Sequence, residues 1–423
     1  MSAACPSEFE AVLAGSFPRD VTGTVLADTS ATLVLDIEDR DRWTVTIANG
    51  IADVSTVLVS RPTCSVHADA STWDEVMAGR RTGVQAFLDG DFTVRGSLST
   101  VLQIAGTLTP ETEPETHLRA RAVEAAGART VYLEAGPRDG VPLILLHGLG
   151  ASNASMLPIL AEFADDYRVI APDIPGFGAS DAPPWNYTAQ RFGRWLQMFL
   201  AEIDARGAVV VGNSLGGRIA LELAMMDRTA ANALVLLCPS PAFRRFRQLS
   251  ALVKLLPVGL ARLPQVAVPR PLMMAGLRSL FAQPSRVRKS WFEAALDESE
   301  LSMREGKRRR SVLSALVNIY TEDAFGDKGF WDRLSLVECP TLFVWGGADR
   351  LVPAGFARHV TAAIPSAQSV LLPDCGHLPQ LELPAMTCRL IRRFLTPHRS
   401  SVAVCVAQAD SCEQDSLGRI ILQ

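Results

Sequence analysis

The 423-residue chain lacks the features that mark several special classes of protein. No uninterrupted apolar run reaches about 18 residues, and the first residues have neither a positive start nor an apolar core. We therefore expect neither a membrane span nor a secretory signal. The net charge is only −4, so composition does not indicate nucleic acid as a partner. The eight cysteines form no C-x-x-C pair and no His/Cys cluster, which favours reduced thiols in a cytoplasm over disulfides or a zinc site.

One stretch indicates chemistry more strongly than any other. Residues 208–211 are small or β-branched and predict a buried strand, and Ser214 follows between Gly212 and Gly216. A helix predicted from about Leu215 places Ser214 on a tight strand-to-helix turn, whose strained backbone only small neighbours tolerate. This turn lifts the hydroxyl over a helix N-terminus, where free N–H groups and the helix dipole favour negative charge. Ser214 is therefore our candidate nucleophile.

The amino-terminal region has the alternation of a small antiparallel sheet. Apolar and polar residues alternate between turn signals, and they predict a meander of four strands. The predicted strands are residues 21–26, 31–37, 43–47 and 54–59. A helix that opens at residues 71–75, a second helix around 84–88, a strand at 92–95 and a last helix after Gly96 complete the pattern.

Four features of this region carry a resemblance. They are an aromatic helix with Trp73, a short helix ending in Phe87-Leu88-Asp89-Gly90, a strand closed by Gly96, and the apolar helix 98–104. With them, residues 8–105 resemble the sterol carrier protein 2 family of lipid-binding domains. The resemblance implies an α+β domain with five strands and helices around an apolar tunnel for fatty acyl or sterol-like molecules. The alternative is a domain used for dimerisation or packing. The helix before the first strand, at best Ser7–Leu13, is short and leaves the tunnel poorly covered.

Composition predicts the domain boundaries. The lipid-binding-like domain covers residues 1–106, and the acidic, Pro/Thr-rich stretch 107–118 reads as an extended linker. From residue 119 to 397 buried strands alternate with helices, which predicts a mostly parallel sheet with helices on both faces. Residues 239–333 interrupt the alternation with a proline-broken helical pattern, and we interpret them as a cap over the site. The tail 398–423 has no periodicity that indicates a role.

An activated serine needs a base and a residue that orients the base. Asp349 follows the buried strand predicted at 341–345, and His377 follows a later strand. The order serine, acid, histidine is the one expected for this architecture. Asp374 is the weaker candidate for the acid, because it lies on the same loop as His377. The positions of the other histidines exclude them as the catalytic base: His67, His117, His147, His359 and His398.

The developing oxyanion needs backbone donors. The N–H of Leu215 is one, because it directly follows the nucleophile. The other should come from the turn after an early strand, where His147, Gly148 and Leu149 stand. We choose Leu149 as the donor, with His147 shaping the turn and Gly148 permitting close approach of the substrate.

Four matches in the correct order now carry a second resemblance. They are His147-Gly148, the run Asp-Ile-Pro-Gly-Phe-Gly-Ala-Ser at 173–180, the Ser214 turn, and the pair Asp349 and His377. Through them, residues 119–397 resemble the α/β-hydrolase family in its capped branch. The resemblance implies that Ser214 is the nucleophile, His377 the general base and then acid, and Asp349 the residue that holds its tautomer. Such a mechanism needs no metal and no organic cofactor.

Three functions remain open for such a chain. The first is a lipase-like hydrolase of lipophilic carboxylic esters, whose lipid-binding domain raises the local substrate concentration. The second is a carbon–carbon bond hydrolase of ring-cleavage products, whose elbows resemble Gly-Asn-Ser-x-Gly-Gly. Those enzymes usually carry Pro-Gly where this chain has Ala151-Ser152, so we favour the esterase. The third is a lipid carrier without catalysis, against which an intact triad argues.

The cap supplies two further hypotheses. Its large apolar residues line a substrate pocket or form the cap's own core; they are Leu255, Leu256, Leu260, Leu272, Met273, Met274 and Phe281. Its basic run, Arg304 with residues 307–310, is interpreted as a solvated helix face. The alternative for this run is a transient contact with an anionic membrane surface or an acidic substrate.

Overall fold

The computed structural model describes residues 19–40, 42–108, 116–241, 268–327 and 329–399. The elements before residue 136 are these: β1 (Ala31–Ile37), β2 (Trp43–Ala48), β3 (Ile51–Ser55), β4 (Cys64–Ala68), α1 (Ala70–Met77), α2 (Gly83–Asp89), β5 (Thr93–Gly96), α3 (Leu98–Leu108), β6 (Arg119–Ala125) and β7 (Ala128–Ala135).

The later elements are numbered on from these. They are β8 (Pro142–Leu146), α4 (Leu157–Phe163), β9 (Arg168–Pro172), α5 (Ala189–Glu202), β10 (Ala208–Asn213), α6 (Leu215–Met226), β11 (Ala231–Leu237), α7 (Arg270–Arg278), α8 (Lys289–Arg304), α9 (Gly306–Thr321), α10 (Phe330–Arg333), β12 (Thr341–Gly346), α11 (Ala357–Ala363), β13 (Gln368–Leu372), α12 (Pro379–Glu382) and α13 (Pro384–Arg399). Short 3₁₀ turns lie at Asn153–Met156, Pro284–Arg286, Leu334–Leu336 and Ala354–Phe356.

The described residues form two compact units, each assembled from separate stretches of sequence. The first takes its residues from Met1–Val141, Gly150–Pro184 and Arg288–Ser311. The second takes its residues from Pro142–Leu149, Trp185–Val287 and Val312–Gln423.

The first unit contains a five-stranded sheet in the order β3-β2-β1-β4-β5. Strands β1, β2 and β3 are antiparallel neighbours, β1 pairs with β4 in parallel, and β5 closes the sheet antiparallel to β4. Five strands with interspersed helices agree with the α+β fold implied by the first resemblance. Strand β7 of this unit pairs antiparallel with both β6 and β9.

Two predicted strands of the meander are wrong, and local hydrogen bonding explains both. Residues 21–26 form turns, because the Asp20 carboxylate accepts the Thr22 N–H and the Thr24 hydroxyl donates to the Val21 carbonyl. The strand predicted at 54–59 is instead β3, which begins three residues earlier. The turn at Asn49–Gly50, with φ of 53° and 73°, sets this register by pairing Ala48 with Ile51. Strand β4 was not predicted.

Helix α8 belongs to the interval predicted as a cap, yet it packs within the first unit. Its Asp297 carboxylate accepts the Gly96 N–H at 2.9 Å and pairs with Arg95 at 2.8 Å. Its Glu298 accepts both the N–H (3.2 Å) and the hydroxyl (2.9 Å) of Ser99, at the start of α3. A carboxylate at a helix N-terminus satisfies donors that the helix itself leaves open. The Ser97 hydroxyl accepts the Thr100 N–H at the start of α3, and Glu298, about 200 residues later, accepts a second N–H of the same turn.

The basic run lies in the same stretch. Arg308 pairs with Glu305 at 2.5 Å and donates to the Ser180 carbonyl at 3.1 Å, and Arg309 donates to the Met303 carbonyl. These two guanidinium groups therefore have partners within the unit. Among the described residues, every helix falls short of the length and hydropathy that crossing a bilayer requires.

The run at residues 173–180 builds a loop around a buried carboxyl group. Asp173 is fully buried, and its two oxygens accept the N–H groups of Asn153 (2.8 Å) and Ala179 (2.7 Å). Gly178 has a φ of 53°, and a Cβ there would lie 2.1 Å from the Asp173 carboxyl carbon. Burial raises the pKa of Asp173 to about 7, against the two backbone hydrogen bonds, which lower it. The motif therefore closes a loop.

This raised pKa predicts a pH-dependent difference between wild type and Asp173→Asn. Between the ordinary pKa of 3.8 and about 7, the folded state binds the proton more tightly than the unfolded state. Stability therefore falls as the pH rises through this window, by at most about 1.4 kcal/mol per pH unit. Urea unfolding at pH 5.5 and pH 8 should show the advantage of wild type over Asp173→Asn shrinking at the higher pH. Asp165→Asn, at an exposed position, is the control; a constant gap for Asp173→Asn would contradict the assignment.

The second unit contributes five parallel strands, which pair in the order β8-β10-β11-β12-β13. Strands β10 and β12 are buried along their whole length, as expected for strands covered on both faces. Parallel strands end at the same edge, so the loops after β8, β10, β11 and β12 meet there. The predicted α/β fold with a mostly parallel sheet is confirmed.

Candidate active site

Ser214 lies between the end of β10 and the start of α6. Its backbone has a φ of 53° and a ψ of −111°, a conformation that non-glycine residues rarely adopt. Such strain costs about 1–3 kcal/mol and persists only where the surroundings enforce it. Here the Ser214 N–H donates to the Leu237 carbonyl, and its carbonyl accepts the N–H groups of Arg218 and Ser240.

The two glycines beside Ser214 are required by close backbone approaches. A Cβ on Gly212 would lie 2.4 Å from the Gly216 carbonyl carbon, and one on Gly216 would lie 2.3 Å from the Leu146 oxygen. Both contacts involve backbone atoms, which cannot move aside as a flexible side chain can. Any larger residue at either position would push α6 away from β8 or β10.

The acid and the histidine meet in the second unit. Asp349 follows β12, His377 follows β13, and His377 Nδ1 lies 2.7 Å from Asp349 Oδ2. The other Asp349 oxygen accepts the N–H groups of Leu351 (2.7 Å) and Val352 (2.9 Å). Both side chains are almost completely buried. The carboxylate is thus held from one side and directs its free oxygen at the imidazole.

The turn after β8 passes directly beside the Ser214 turn. A Cβ on Gly148 would lie 3.1 Å from Asn213 Oδ1 and 3.4 Å from Ser214 Cβ. Leu149, the predicted oxyanion donor, follows Gly148 and is half-buried, and Leu215 is the first residue of α6. The two residues chosen as donors therefore stand on the two loops that meet at the nucleophile.

His147 takes part in the shape of that turn. It is fully buried, and its Nδ1 lies 2.8 Å from the Gly148 carbonyl oxygen. Burial lowers the pKa of His147 to about 4, so the ring is neutral near pH 7 and Nδ1–H can donate to that oxygen. Of the other excluded histidines, His67 lies beside Asp36 and Glu38, His117 lies two residues before β6, and His398 lies in α13. His359 contacts the rings of Trp331 and Phe356, which stack on each other.

Cys238 is an unpredicted neighbour of the pair. It follows β11, and its sulfur lies within 4.8 Å of ligand-type atoms of Asp349 and His377. Burial, followed by the nearby Asp349 carboxylate, raises the pKa of the Cys238 thiol well above its ordinary value. A protonated thiol is a poor metal ligand. The Asp349 oxygens and His377 Nδ1 already bond to each other and to backbone, so the three residues fit a hydrogen-bonded cluster better than a cation site.

Asn213 also joins the two loops of the site. Its side-chain amide donates to the Leu237 carbonyl (3.0 Å) and to the His377 carbonyl (3.1 Å). The residue before the nucleophile therefore fixes the backbone of the histidine. Asn213 belongs to the elbow sequence, but the sequence gives no sign of its role. Its partners are backbone carbonyls 24 and 164 residues away, which any residue type would offer.

The helix that follows the nucleophile is anchored by a buried ionic cluster. Arg218, one turn after Ser214 and fully buried, pairs with Glu222 (2.7 Å) and Glu322 (2.5 Å), and Arg333 binds Glu222 at 2.8 Å. The Arg218 guanidinium also lies 3.9 Å from the centre of the Phe330 ring. A movement of α6 that separated these pairs would leave a buried charge without its partner, which is costly. The cluster therefore favours a single position of α6.

The apolar residues predicted to line a pocket or to form the core of the cap differ in burial, and this difference does not decide between the two alternatives. Leu255, Leu256 and Leu260 lie outside the described residues. Leu272 is 63% exposed, whereas Phe281 is buried, after the end of α7.

Comparisons with known proteins follow the division seen in the sequence. Residues 141–384 match the family model described as alpha/beta hydrolase fold, and residues 9–109 match the SCP-2 sterol transfer family. Each match agrees with the resemblance found in the corresponding part of the sequence.

Individual relatives cover the hydrolase part. The 2-hydroxy-6-oxo-6-(2'-aminophenyl)hexa-2,4-dienoic acid hydrolase of Metapseudomonas resinovorans is 31% identical over 284 residues, 65% of this chain and 90% of that protein. The dihydrolipoyllysine-residue acetyltransferase component of the acetoin cleaving system of Pseudomonas putida is 28% identical over 278 residues, 65% of this chain and 69% of that protein. The crystal structure of a serine hydrolase involved in carbazole degradation has a TM-score of 0.54 and 26% identity, covering 66% of this chain and 99% of that one.

Proposed function

This chain belongs to the alpha/beta hydrolase fold family, and from that premise we propose that it is a serine hydrolase of lipophilic carboxylic esters. The observation that carries the proposal is the 2.7 Å contact between His377 and Asp349, on loops at the same sheet edge as the strained Ser214 turn. A nucleophile, a base and an orienting acid are the parts that acyl transfer through an acyl-enzyme requires.

The first half of the proposed reaction forms the acyl-enzyme. Ser214 Oγ attacks the carbonyl carbon of the ester, and its proton passes to His377 Nε2. The Asp349 carboxylate accepts Nδ1–H, which keeps the ring in the correct tautomer and stabilises the imidazolium. The N–H groups of Leu149 and Leu215 stabilise the oxyanion of the tetrahedral intermediate.

The second half restores the enzyme. The intermediate collapses, the carbon–oxygen bond to the alcohol breaks, and the alkoxide takes the proton from His377 Nε2. Water then gives a proton to the same nitrogen and attacks the acyl carbon. Collapse of the second intermediate releases the carboxylic acid and returns the proton to Ser214.

The amino-terminal domain supplies the substrate preference in this proposal. Its match to a sterol transfer family supports a lipophilic ligand, which suits an ester with a long acyl chain. Two linked modules experience each other at roughly millimolar effective concentrations. Binding of a sparingly soluble ester by one module would therefore raise its concentration at the other.

A second candidate function uses the same residues on a carbon–carbon bond. The 31%-identical relative named as a dienoic acid hydrolase favours it. The presence of Ala151-Ser152 after the oxyanion turn, in place of Pro-Gly, argues for the ester instead.

One panel of substrates distinguishes the two candidate functions. We expect p-nitrophenyl esters to be hydrolysed with a kcat/KM that rises from acetate to octanoate. The dienoic acid named for the relative should be cleaved more slowly than the best ester. A fluorophosphonate probe should label one peptide, the one that contains Ser214, and Ser299→Ala should leave this labelling unchanged.

Two outcomes would contradict the ester proposal. Faster cleavage of the dienoic acid than of any ester would establish the carbon–carbon hydrolase. Binding of a fluorescent fatty acid without hydrolysis of any substrate and without labelling of Ser214 would establish the carrier.

A further inference from the structure

Glu382 is a buried acid that the catalytic mechanism does not use. It ends α12, five residues after His377, and its side chain is 0% exposed. Its two oxygens accept three backbone N–H groups: Oε2 from Gly376 (2.7 Å) and Ala282 (3.1 Å), and Oε1 from Gln283 (2.6 Å). Burying a carboxylate is costly unless its oxygens are satisfied in this way.

The three donors belong to two separate segments of the second unit. Gly376 precedes His377, whereas Ala282 and Gln283 lie in the interval after α7. That interval also contacts the histidine directly, because the His377 N–H donates to the Leu280 carbonyl at 2.7 Å. A Cβ on Gly376 would lie 2.3 Å from the Leu280 oxygen. The backbones of residues 280–283 and 376–377 are therefore in close contact, with Glu382 bonded to both.

Arg286 strengthens the same connection. Its Nη1 donates to the Asp374 carbonyl at 2.6 Å and lies 3.8 Å from Glu382 Oε1. One guanidinium thus reaches the loop before His377 and partly balances the Glu382 charge. It stands in the 3₁₀ turn Pro284–Arg286, directly after the two residues that Glu382 binds.

We propose that Glu382 is a positioning residue that clamps the backbone of the histidine loop to residues 280–283 and so fixes the imidazole against Asp349. The inference deepens the proposed function and rests on it for its catalytic readout. Residues 280–283, after α7, then supply part of the support of the general base. A shift of residues 280–283 would change the orientation of the His377 ring.

The chemistry of an amide explains why Glu382→Gln tests the clamp. Glutamine has the same shape, but one carboxylate oxygen becomes an NH₂ group that cannot accept the backbone N–H groups it faces. At least one buried donor loses its partner, and the loop loses its fixed position. We expect kcat to fall between about 10- and 100-fold, the scale of a misplaced catalytic group, with KM changed less than about threefold.

The experiment measures kcat, KM and their pH profiles for wild type, Glu382→Gln, Arg286→Ala and the surface control Glu338→Gln. It also records the downfield proton NMR signal of the His377–Asp349 hydrogen bond, identified by its loss in Asp349→Asn. The clamp predicts a weaker signal and a displaced acidic limb of kcat in Glu382→Gln, a smaller change in the same direction in Arg286→Ala, and none in Glu338→Gln.

Each result decides the proposal. If Glu382→Gln keeps both kcat and the proton signal, the clamp is wrong, even if the protein is less stable. If Glu382→Gln does not fold, Arg286→Ala decides in its place, since Arg286 is partly exposed. If wild type hydrolyses no ester, the proposed function fails, and the proton signal still tests whether Glu382 positions His377.

Discussion

Replacing Ser214 with alanine is expected to lower kcat for ester hydrolysis by about 10⁴-fold or more, because it removes the hydroxyl that forms the acyl-enzyme in the proposed mechanism. The measurement is single-turnover hydrolysis of a p-nitrophenyl ester at saturating substrate. The KM and the binding of a fluorescent fatty acid should change little, since the hydroxyl contributes little to ground-state binding.

Glycine at the same position gives a matched comparison. Ser214→Gly removes the hydroxyl as alanine does, but glycine accepts the observed φ of 53° without strain. We expect Ser214→Gly to be inactive yet more stable than Ser214→Ala by about 1 kcal/mol, measured as the free energy of unfolding. Residual activity near that of wild type in either variant would exclude Ser214 as the nucleophile, and equal stability would exclude backbone strain.

Asp349→Asn is the second change with a large expected effect. Asparagine can still accept the N–H groups of Leu351 and Val352, but it presents an NH₂ group to His377 Nδ1. The imidazole must then accept at Nδ1 and carry its proton on Nε2, the nitrogen that should take the proton of Ser214. We expect kcat to fall by about 10⁴-fold with little change in stability.

Asp374→Asn is the control for this prediction, because Asp374 is the other acid on the histidine loop. Its side chain is exposed, and its main-chain carbonyl accepts a hydrogen bond from Arg286. Wild-type kcat is expected in this variant, measured with the same ester. A large loss in Asp374→Asn together with a small one in Asp349→Asn would reverse the roles of the two acids.

The sequence is sufficient to predict the side chains that meet in the site, because their residue types and their positions after strands are both visible in it. Ser214, Asp349 and His377 each follow a strand, and parallel strands end at one edge, so pattern alone predicts that their loops are neighbours. Asp349 and His377 do meet, 28 residues apart in sequence. The predicted roles of these residues await the experiments above.

The hydrogen bonds made by main-chain atoms could not be predicted from the sequence. Glu382 binds N–H groups that any residue but proline would offer, at sequence separations of 6, 99 and 100. No side-chain pattern at positions 282 or 283 marks them as its partners. The same reason explains the wrong strand at residues 21–26, where short side chains bond to nearby backbone and override β-propensity.

Asp297 and Glu298 of α8 are synthesised long after the residues that they bind. Asp297 bonds to Arg95, 202 residues earlier in synthesis. A ribosome producing roughly 5–20 residues per second needs on the order of ten seconds or more between the two. During that interval Gly96 and Ser99 lack the carboxylates of Asp297 and Glu298 that they bind in the folded protein. A fusion that carried only residues 1–106 to another enzyme would lack Asp297 and Glu298, so Gly96 and Ser99 would stay without these partners.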